Sequence, residues 1–346
     1  MNRLLVRDCG AGTTIQDGGR FGYQRYGVGP AGAMDKVALA VANMLVGNAA
    51  GEAALEFTVL GGTFVVEGGP VRVALAGALA DLRIDGDLIA PLTSATVLDG
   101  QTIAVGPARA GTFMILAVSG GFDVRRDLGS RSFHLRGGLG GVDRAPVRPG
   151  QVLPVGSAPP GPDLTATVAP RVSAGAYRVV LGPQDDYFSE AGIATFLGET
   201  YRVSAEADRM GYRLSGPAIE HAKGFNIVSD GIVTGSVQVP GSGEPIVLLA
   251  DRQTTGGYPK IATIASADLP RFVQQRPGSE LRFTAISLAE AIAAAREQAA
   301  MLAAVREGLK PVGLGLDTER LLSVNLVDGW VDAHAPLAGT CFDTAA

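Results

Sequence analysis

The run Asp251-Arg252-Gln253-Thr254-Thr255-Gly256-Gly257-Tyr258-Pro259-Lys260 separates two apolar stretches, Pro245-Ile246-Val247-Leu248-Leu249-Ala250 and Ile261-Ala262-Thr263-Ile264. The flanks read as strands, and the polar run as the loop between them. Gly256-Gly257 lets the backbone take positive φ and approach another group closely, which a Cβ would resist, and Pro259 is expected to restrict the direction in which Lys260 leaves the turn. Polar density of this kind between buried strands costs free energy unless the loop lines a cleft or meets polar partners. Two readings fit the stretch alone. In one it is a hairpin whose polar groups merely satisfy its own backbone. In the other it is the wall of a site for a small anionic or amide-like substrate.

Working outward, 346 residues suffice for two domains with a core in each. A hydrophobic content of 47% with 18% charged residues, 48 Gly and 20 Pro predicts many short strands joined by tight turns. The expected class is mainly β with a few helices (α+β). Net charge is −5 and no basic block is long enough to track a phosphate backbone, so nucleic acid is not an expected partner. The two cysteines, Cys9 and Cys341, read as free thiols. Arg7 and Asp8 interrupt the N-terminal apolar run and no stretch is apolar enough to span a bilayer, so a soluble, cytoplasmic protein is expected.

Residues 10–30 are too glycine-rich for a helix and too polar for a buried strand, and are expected to form an ordered loop. Gly10-Ala11-Gly12 lacks the third glycine and the following helix of a dinucleotide fingerprint. Helical spacing of Val37, Val41, Met44 and Leu45 predicts a helix over 33–46, followed by strands near 54–57, 63–67, 71–76, 81–84, 95–98, 101–105 and 112–118. Gly129-Ser130-Arg131-Ser132 opens a second polar loop, where Arg131 offers forked donors to an anion and His134 reads as a bystander. The proline-rich stretch at 157–162 marks a boundary: an N-terminal β-rich domain over 1–165 and a β-barrel over 166–287 carrying the central loop. A C-terminal helix and tail occupy 288–346. Ser287-Leu288-Ala289-Glu290 has capping-box spacing, and Leu288, Ile292, Ala295, Ala299 and Leu302 predict the buried stripe of that helix. The tail holds the only tryptophan, Trp330, expected to dock on the body.

Three scattered histidines and the absence of CxxC leave no metal box, and neither a Walker-A loop nor a GxSxG elbow occurs. What remains is Arg, Lys, Asp, Gln, Thr and Tyr beside glycine, a set that orients substrates and stabilises developing oxyanion charge. Lys260 and Arg252 are the expected charge-stabilising groups, with Asp230 or Asp251 able to move a proton if desolvated. Gln253, Thr254, Thr255, Gly257, Tyr258, Arg131, Arg209 and Gln184 are the expected substrate contacts.

Several phrases then stand in order along the chain: Thr13-Thr14-Ile15-Gln16-Asp17 with Gly19-Arg20, Gly32-Ala33-Met34-Asp35, Ala42-Asn43, Leu55-Glu56, Gly129-Ser130-Arg131-Ser132, Gly182-Pro183-Gln184, Arg209-Met210-Gly211-Tyr212-Arg213, Ser229-Asp230-Gly231 and the central decapeptide. To about Phe283 the chain resembles the biotin-dependent carboxyltransferase family, which includes the 5-oxoprolinase C subunit, the KipI antagonist KipA and the second half of the urea carboxylase carboxyltransferase domain. The resemblance implies two cyclophilin-like β-barrel domains and an active site around a cleft shared with a KipI-like subunit. It implies one of three roles. The first is ATP-dependent opening of 5-oxoproline to glutamate, together with that partner and a third polypeptide of the lactam-utilisation type. The second is transfer of a carboxyl group to urea or another amide from biotin on a separate carrier, and the third is non-catalytic regulation of a KipI-like kinase inhibitor. No Met-Lys-Met biotin motif or ATP-grasp domain is present, so biotin or ATP would come with another polypeptide. Two features depart from the family pattern: Asp143 beside Arg144, and the extension beyond about residue 287.

Overall fold

A computed structural model describes residues 2–170 and 174–313. Trp330 and the rest of the tail lie outside the described residues. The chain to Pro311 forms one compact unit.

The N-terminal half is built from two antiparallel sheets whose inner faces share one core. The six-stranded sheet runs, edge to edge, Val152–Pro154, Arg3–Cys9, Gly62–Glu67, Thr102–Val105, Leu82–Ile84 and Asp87–Ile89. The five-stranded sheet runs Thr14–Gln16, Ala54–Thr58, Ala110–Val118, Val71–Leu79 and Ala95–Val97. Gly62–Glu67 alternates buried and half-buried residues along its length, the period-two pattern of a strand with one face on a core. Phe57, Phe64 and Phe122 fill that core without exposure, each contributing about 1.5–3 kcal/mol by burial. The segment expected to be wholly loop contains the strand Thr14–Gln16, fully buried and paired with Ala54–Thr58. Its polar Thr14 and Gln16 are accommodated because Gln16 Nε2 donates to Thr14 Oγ1 and to the Phe133 carbonyl.

Helix α1 (Lys36–Leu45) lies on the outer face of the five-stranded sheet, with Leu39, Val41, Ala42 and Leu45 buried against Ala74, Ala76, Ile115 and Ala117. Asp35 caps it by accepting from Ala38 N–H at 2.8 Å, so the helix starts three residues later than the apolar spacing alone suggests.

The C-terminal half is one eight-stranded sheet in the order Glu280–Leu281, Tyr201–Ala207, Gly211–Ser215, Ile246–Leu248, Ser236–Gln238, Lys260–Ile264, Tyr177–Leu181 and Phe283–Ala285. The two edge strands are separated only by Arg282, so the sheet is a nearly closed barrel. The fold is therefore mostly β with four helices among the described residues, in barrel-like α+β domains. Helix α2 (Glu190–Gly198) is capped by Ser189, and α3 (Leu269–Val273) buries Phe272 and Val273 in the barrel core. None of the described helices is long and apolar enough to cross a membrane.

Helix α4 (Leu288–Glu307) starts with both halves of the Ser287/Glu290 capping box in place. Its expected stripe is corrected. Leu288 and Ile292 are 65% and 45% exposed, whereas Ala294 and Val305 are the buried positions and Met301 and Leu302 pack partly beside them. Val305, with Met301 and Leu302 beside it, joins the cluster that buries α1, so the packed face lies toward the C-terminal end of α4 and away from Leu288 and Ile292. After Gly308 the chain forms the short strand Leu309–Pro311, which pairs with Leu164–Ala166.

The two halves are joined by polar anchors. Gln274 donates to Asp35 Oδ2 at 2.8 Å and accepts from the Thr112 and Phe113 N–H groups, and Arg276 donates to the carbonyls of Gly111 and Ala108.

Candidate functional site

Lys260 opens the strand Lys260–Ile264 and is 1% exposed. Its Nζ donates to Asp230 Oδ2 at 2.6 Å and to the Gly231 carbonyl at 3.0 Å. An ammonium has three donors, so one remains for another acceptor. Asp230 is itself fixed: Oδ2 also accepts from Gln184 Nε2 at 3.0 Å, and Oδ1 from Gly231 N–H at 2.7 Å. Gln184 closes the ring, because its Oε1 accepts from the Lys260 backbone N–H at 3.1 Å. Hydrogen bonds from Lys260, then Gln184 and Gly231, hold the Asp230 carboxyl below the usual carboxylate range. Half exposed and firmly ionised, Asp230 is suited to orient Lys260 and is a poor proton acceptor at neutral pH.

The central loop produces this corner by folding back on the 230s. Asp230–Gly231 pairs antiparallel with Thr255–Gly256, Asp230 facing Gly256. Neither Gly256 nor Gly257 takes positive φ, but the close approach that glycine permits is used at Gly256, where a Cβ would lie 2.4 Å from Gln238 Nε2 and 2.7 Å from Ile232 Cδ1.

The remaining expected site residues divide among separate environments. Arg252 is 5% exposed; its Nε donates to the Ile232 carbonyl at 3.2 Å and its Nη1 to Thr234 Oγ1 at 2.8 Å. Burial pushes its guanidinium down to about 10, still charged at neutral pH. Gln253 and Tyr258 line an open groove with Arg136 and Arg213. Thr254 contributes its carbonyl, which accepts from Ile232 N–H and Gln24 Nε2, while Thr255 sits in the short ribbon and the Gly257 carbonyl accepts from Ile227 N–H.

Asp251 and Arg209 are reassigned. Arg209 clamps Asp251 through two donors at 2.9 Å, pairs with Glu56 and donates to the Gly32 carbonyl at 2.8 Å. Burial works against the Arg209 charge, but Glu56 and Asp251 more than offset it and raise its pKa. With both carboxylate oxygens held, Asp251 is not available to move a proton; the knot ties the barrel to the N-terminal half. Arg131 is likewise occupied, by Glu52 at 3.0 Å and Asp123 at 3.3 Å within the N-terminal half. Arg144 pairs with Asp127 at 3.7 Å.

Two cations that the residue-by-residue reading did not place in a site are brought beside Arg252. Arg20 and Lys36 line the same cavity of about 460 Å³, between the N-terminal loop and the barrel. Arg20 is positioned by the second polar loop: its Nε donates to the Asp127 carbonyl at 2.9 Å and its Nη2 to the Ser132 carbonyl at 3.0 Å. That loop is organised by Asp17, whose carboxylate accepts from Ser130, Ser132 and the Arg131 and Gly19 N–H groups. The signal for it was present in the clustering of arginine and aromatic residues among glycines at 19–26. His134 is also buried here, its Nδ1 accepting from Gly137 N–H at 3.0 Å. Burial lowers its pKa and the neighbouring arginines add to the effect, so the imidazole is neutral at pH 7. Among the described residues no three His, Cys, Asp or Glu side chains gather as a metal site.

Comparison with known proteins extends this geometry. The chain is 36% identical to the 5-oxoprolinase C subunit of Escherichia coli over 297 residues, 85% of this chain and 95% of the relative. It is 30% identical to the urea amidolyase of Lachancea kluyveri, covering 88% of this chain and 18% of that protein. In structure it matches the Kluyveromyces lactis urea amidolyase with a TM-score of 0.82 at 28% identity, over 87% of this chain and 20% of that one. The chain thus spans about a fifth of the urea amidolyases it matches. A family model described as "Carboxyltransferase domain, subdomain A and B" matches residues 26–285, and the chain belongs to that carboxyltransferase-domain family.

Proposed function

We propose that this chain is one polypeptide of a multi-subunit 5-oxoprolinase, acting with partners of the KipI-like and lactam-utilisation types in ATP-dependent opening of 5-oxoproline to glutamate in the cytoplasm. The observation that carries this reading is the alignment, at 36% identity, with 95% of the E. coli 5-oxoprolinase C subunit, against 18% of a urea amidolyase at 30%. The geometry adds a role for named residues. Lys260 presents a positioned, desolvated ammonium where negative charge develops on an amide carbonyl oxygen, and Asp230 and Gln184 keep it there without reorganisation during reaction. Thr255 stands beside that corner on the ribbon that pairs with Asp230–Gly231, while Gln253 and Tyr258 line the separate groove with Arg136 and Arg213, and Thr254 and Gly257 contribute backbone carbonyls. ATP belongs to the assembled complex in this reading, and neither a nucleotide loop nor a biotin-carrier motif occurs in this chain.

The test is 5-oxoproline-dependent ATP hydrolysis by the complex reconstituted from all three polypeptides. Lys260→Ala is expected to lower kcat about 100-fold or more, the loss on removing one oxyanion donor, while assembly with the KipI-like partner is kept. Full turnover by the variant complex would remove Lys260 from the chemistry.

The second reading, a carboxyltransferase part of a biotin-dependent urea or amide carboxylase, is favoured by the structural match to the K. lactis protein. Urea-dependent decarboxylation of carboxybiotin on a separate carrier, with no response to 5-oxoproline, would select it. A KipA-like regulator without catalysis predicts partner binding and no turnover with either substrate.

A further inference from the structure

The cavity between the N-terminal loop and the barrel gathers three cations, in contrast to the arginines that the fold pairs with carboxylates. Arg209, Arg178 and Arg131 each have carboxylate partners, at distances that include 2.9, 2.6 and 3.0 Å. Arg20, Lys36 and Arg252 line one cavity of about 460 Å³ with no acidic side chain in its wall. Among the described residues, none of the three forms a salt bridge with a carboxylate. The hydrogen-bond partners of Arg252 are neutral, the Ile232 carbonyl, Thr234 Oγ1 and, at 3.5 Å, the Leu249 carbonyl. Arg20 is 1% exposed, and its Nη1 is buried without a partner. Lys36 Nζ stands over the Phe21 ring, 5.1 Å from its centroid, at the mouth.

All three cations have lost hydration; Asp17, Asp127 and Asp251 offset part of that cost for Arg20, while Lys36 and Arg252 have no carboxylate that does so, which is costly unless an anion is supplied from outside the chain. The mutual cost is visible at Lys36, whose pKa is lowered by burial and then by Arg252. The rest of the wall is mostly apolar, with Met34, Leu249, Leu269 and Val273 beside the polar Gln24, Thr234, Ser266 and Gln298, so the cavity suits a compact organic anion better than a hydrated ion. It also adjoins the Lys260 corner. Lys260 and Arg252 are bonded to consecutive carbonyls, Gly231 and Ile232, and the segment continues into the cavity wall at Val233 and Thr234.

We propose that the Arg20–Lys36–Arg252 cavity binds the carboxylate of a small amide acid, so that the chain selects an acid-bearing amide over a neutral one. The proposal rests on the 5-oxoprolinase reading only for the identity of the acid. The geometry itself requires a compact oxyanion. A carboxylate can satisfy a guanidinium fork with two oxygens while its ring or chain rests on the apolar wall. Urea has no such group and would leave the cations unpaired.

The experiment is calorimetric titration of the full chain with 5-oxoproline, with 2-pyrrolidinone (the same ring without the carboxylate), with acetate and with inorganic phosphate. 5-Oxoproline is expected to bind at least about tenfold more tightly than 2-pyrrolidinone, the weight of one charge-assisted hydrogen bond, and to weaken as salt is raised. Lys36→Gln, at the first residue of α1 where no carboxylate loses a partner, should lower that preference, and Arg252→Lys should retain more of it than Arg252→Gln. Acetate binding that depends on Lys36, with no binding of 5-oxoproline, would keep the carboxylate site and overturn the 5-oxoprolinase reading. Binding of phosphate alone would overturn the assignment to a carboxylate. Equal binding of the lactam and its acid, or no anion binding at all, would overturn the site.

Discussion

Asp251 and Arg252 are consecutive in the chain and almost equally buried, at 6% and 5% exposure, yet their charges meet opposite surroundings. Asp251 turns to Arg209 and joins a knot in which one guanidinium is shared by two carboxylates, its own and that of Glu56. Arg252 turns the other way, to neutral oxygens and a cavity with two further cations. In the knot every charged group has a partner of opposite sign, and it holds the two halves of the molecule together. The cavity is incomplete until something binds. Charge that a fold balances internally is structural, and charge it leaves unbalanced at a cavity points to a ligand.

The comparison breaks if both sites respond alike to loss of a cation. Arg209→Met strands two buried carboxylates and is expected to cost about 3–5 kcal/mol, measured by urea unfolding. A loss below about 1 kcal/mol would show that the knot is not what joins the halves. Gly256→Ala comes next. The added methyl must displace Gln238 Nε2 or Ile232 Cδ1, so a cost of about 1–3 kcal/mol and a weakened Lys260 corner are expected from thermal unfolding and complex activity. Arg252→Met is the sharpest contrast with Arg209→Met. It removes an uncompensated buried charge, and the Ile232 carbonyl keeps a donor in Gln24 Nε2 at 2.7 Å, so stability should change by no more than about 1 kcal/mol while anion binding is lost.

The strands and helices were largely legible because hydrophobic period and capping residues are local signals. The Ser287/Glu290 capping box and the strand Thr102–Val105 both stand where residue patterns put them. The face of α4 was legible only in part: Leu302 of the apolar stripe packs, but Leu288 and Ile292 are exposed and the buried positions are Ala294 and Val305. The site was legible in part. Lys260, Asp230 and Gln184 share one hydrogen-bonded ring, although they lie up to 76 positions apart. Nothing local distinguishes the direction taken by Asp251 from that taken by Arg252, because each is decided by a partner more than 15 residues away in sequence: Arg209 for one, Thr234 for the other. Arg20 and Lys36 were hidden for the same reason. The cavity they line exists only once the N-terminal loop meets the barrel.

The Lys260–Asp230 pair lies between the two extremes, and its pH dependence places it. The hydrogen bonds from Lys260, Gln184 and Gly231 lower the Asp230 pKa from its ordinary 3.8. A depressed carboxyl contributes stability that is present above its unfolded value and lost as pH falls through the folded one. The pair should therefore break with a midpoint below the ordinary 3.8 of a carboxyl. With the Asp230 side chain 51% exposed, solvent screening keeps the effect on global stability small, so the measurement is a carboxyl carbon-13 titration of Asp230 and not an unfolding curve. In Lys260→Met the midpoint should rise toward the ordinary value, because the largest cause of its depression is gone. An unchanged midpoint would mean that Gln184 and the Gly231 N–H alone hold the carboxylate. Lys260 would then be carried by its corner without shaping it, and the ring would resemble the self-sufficient knot more than the cavity that waits for an anion.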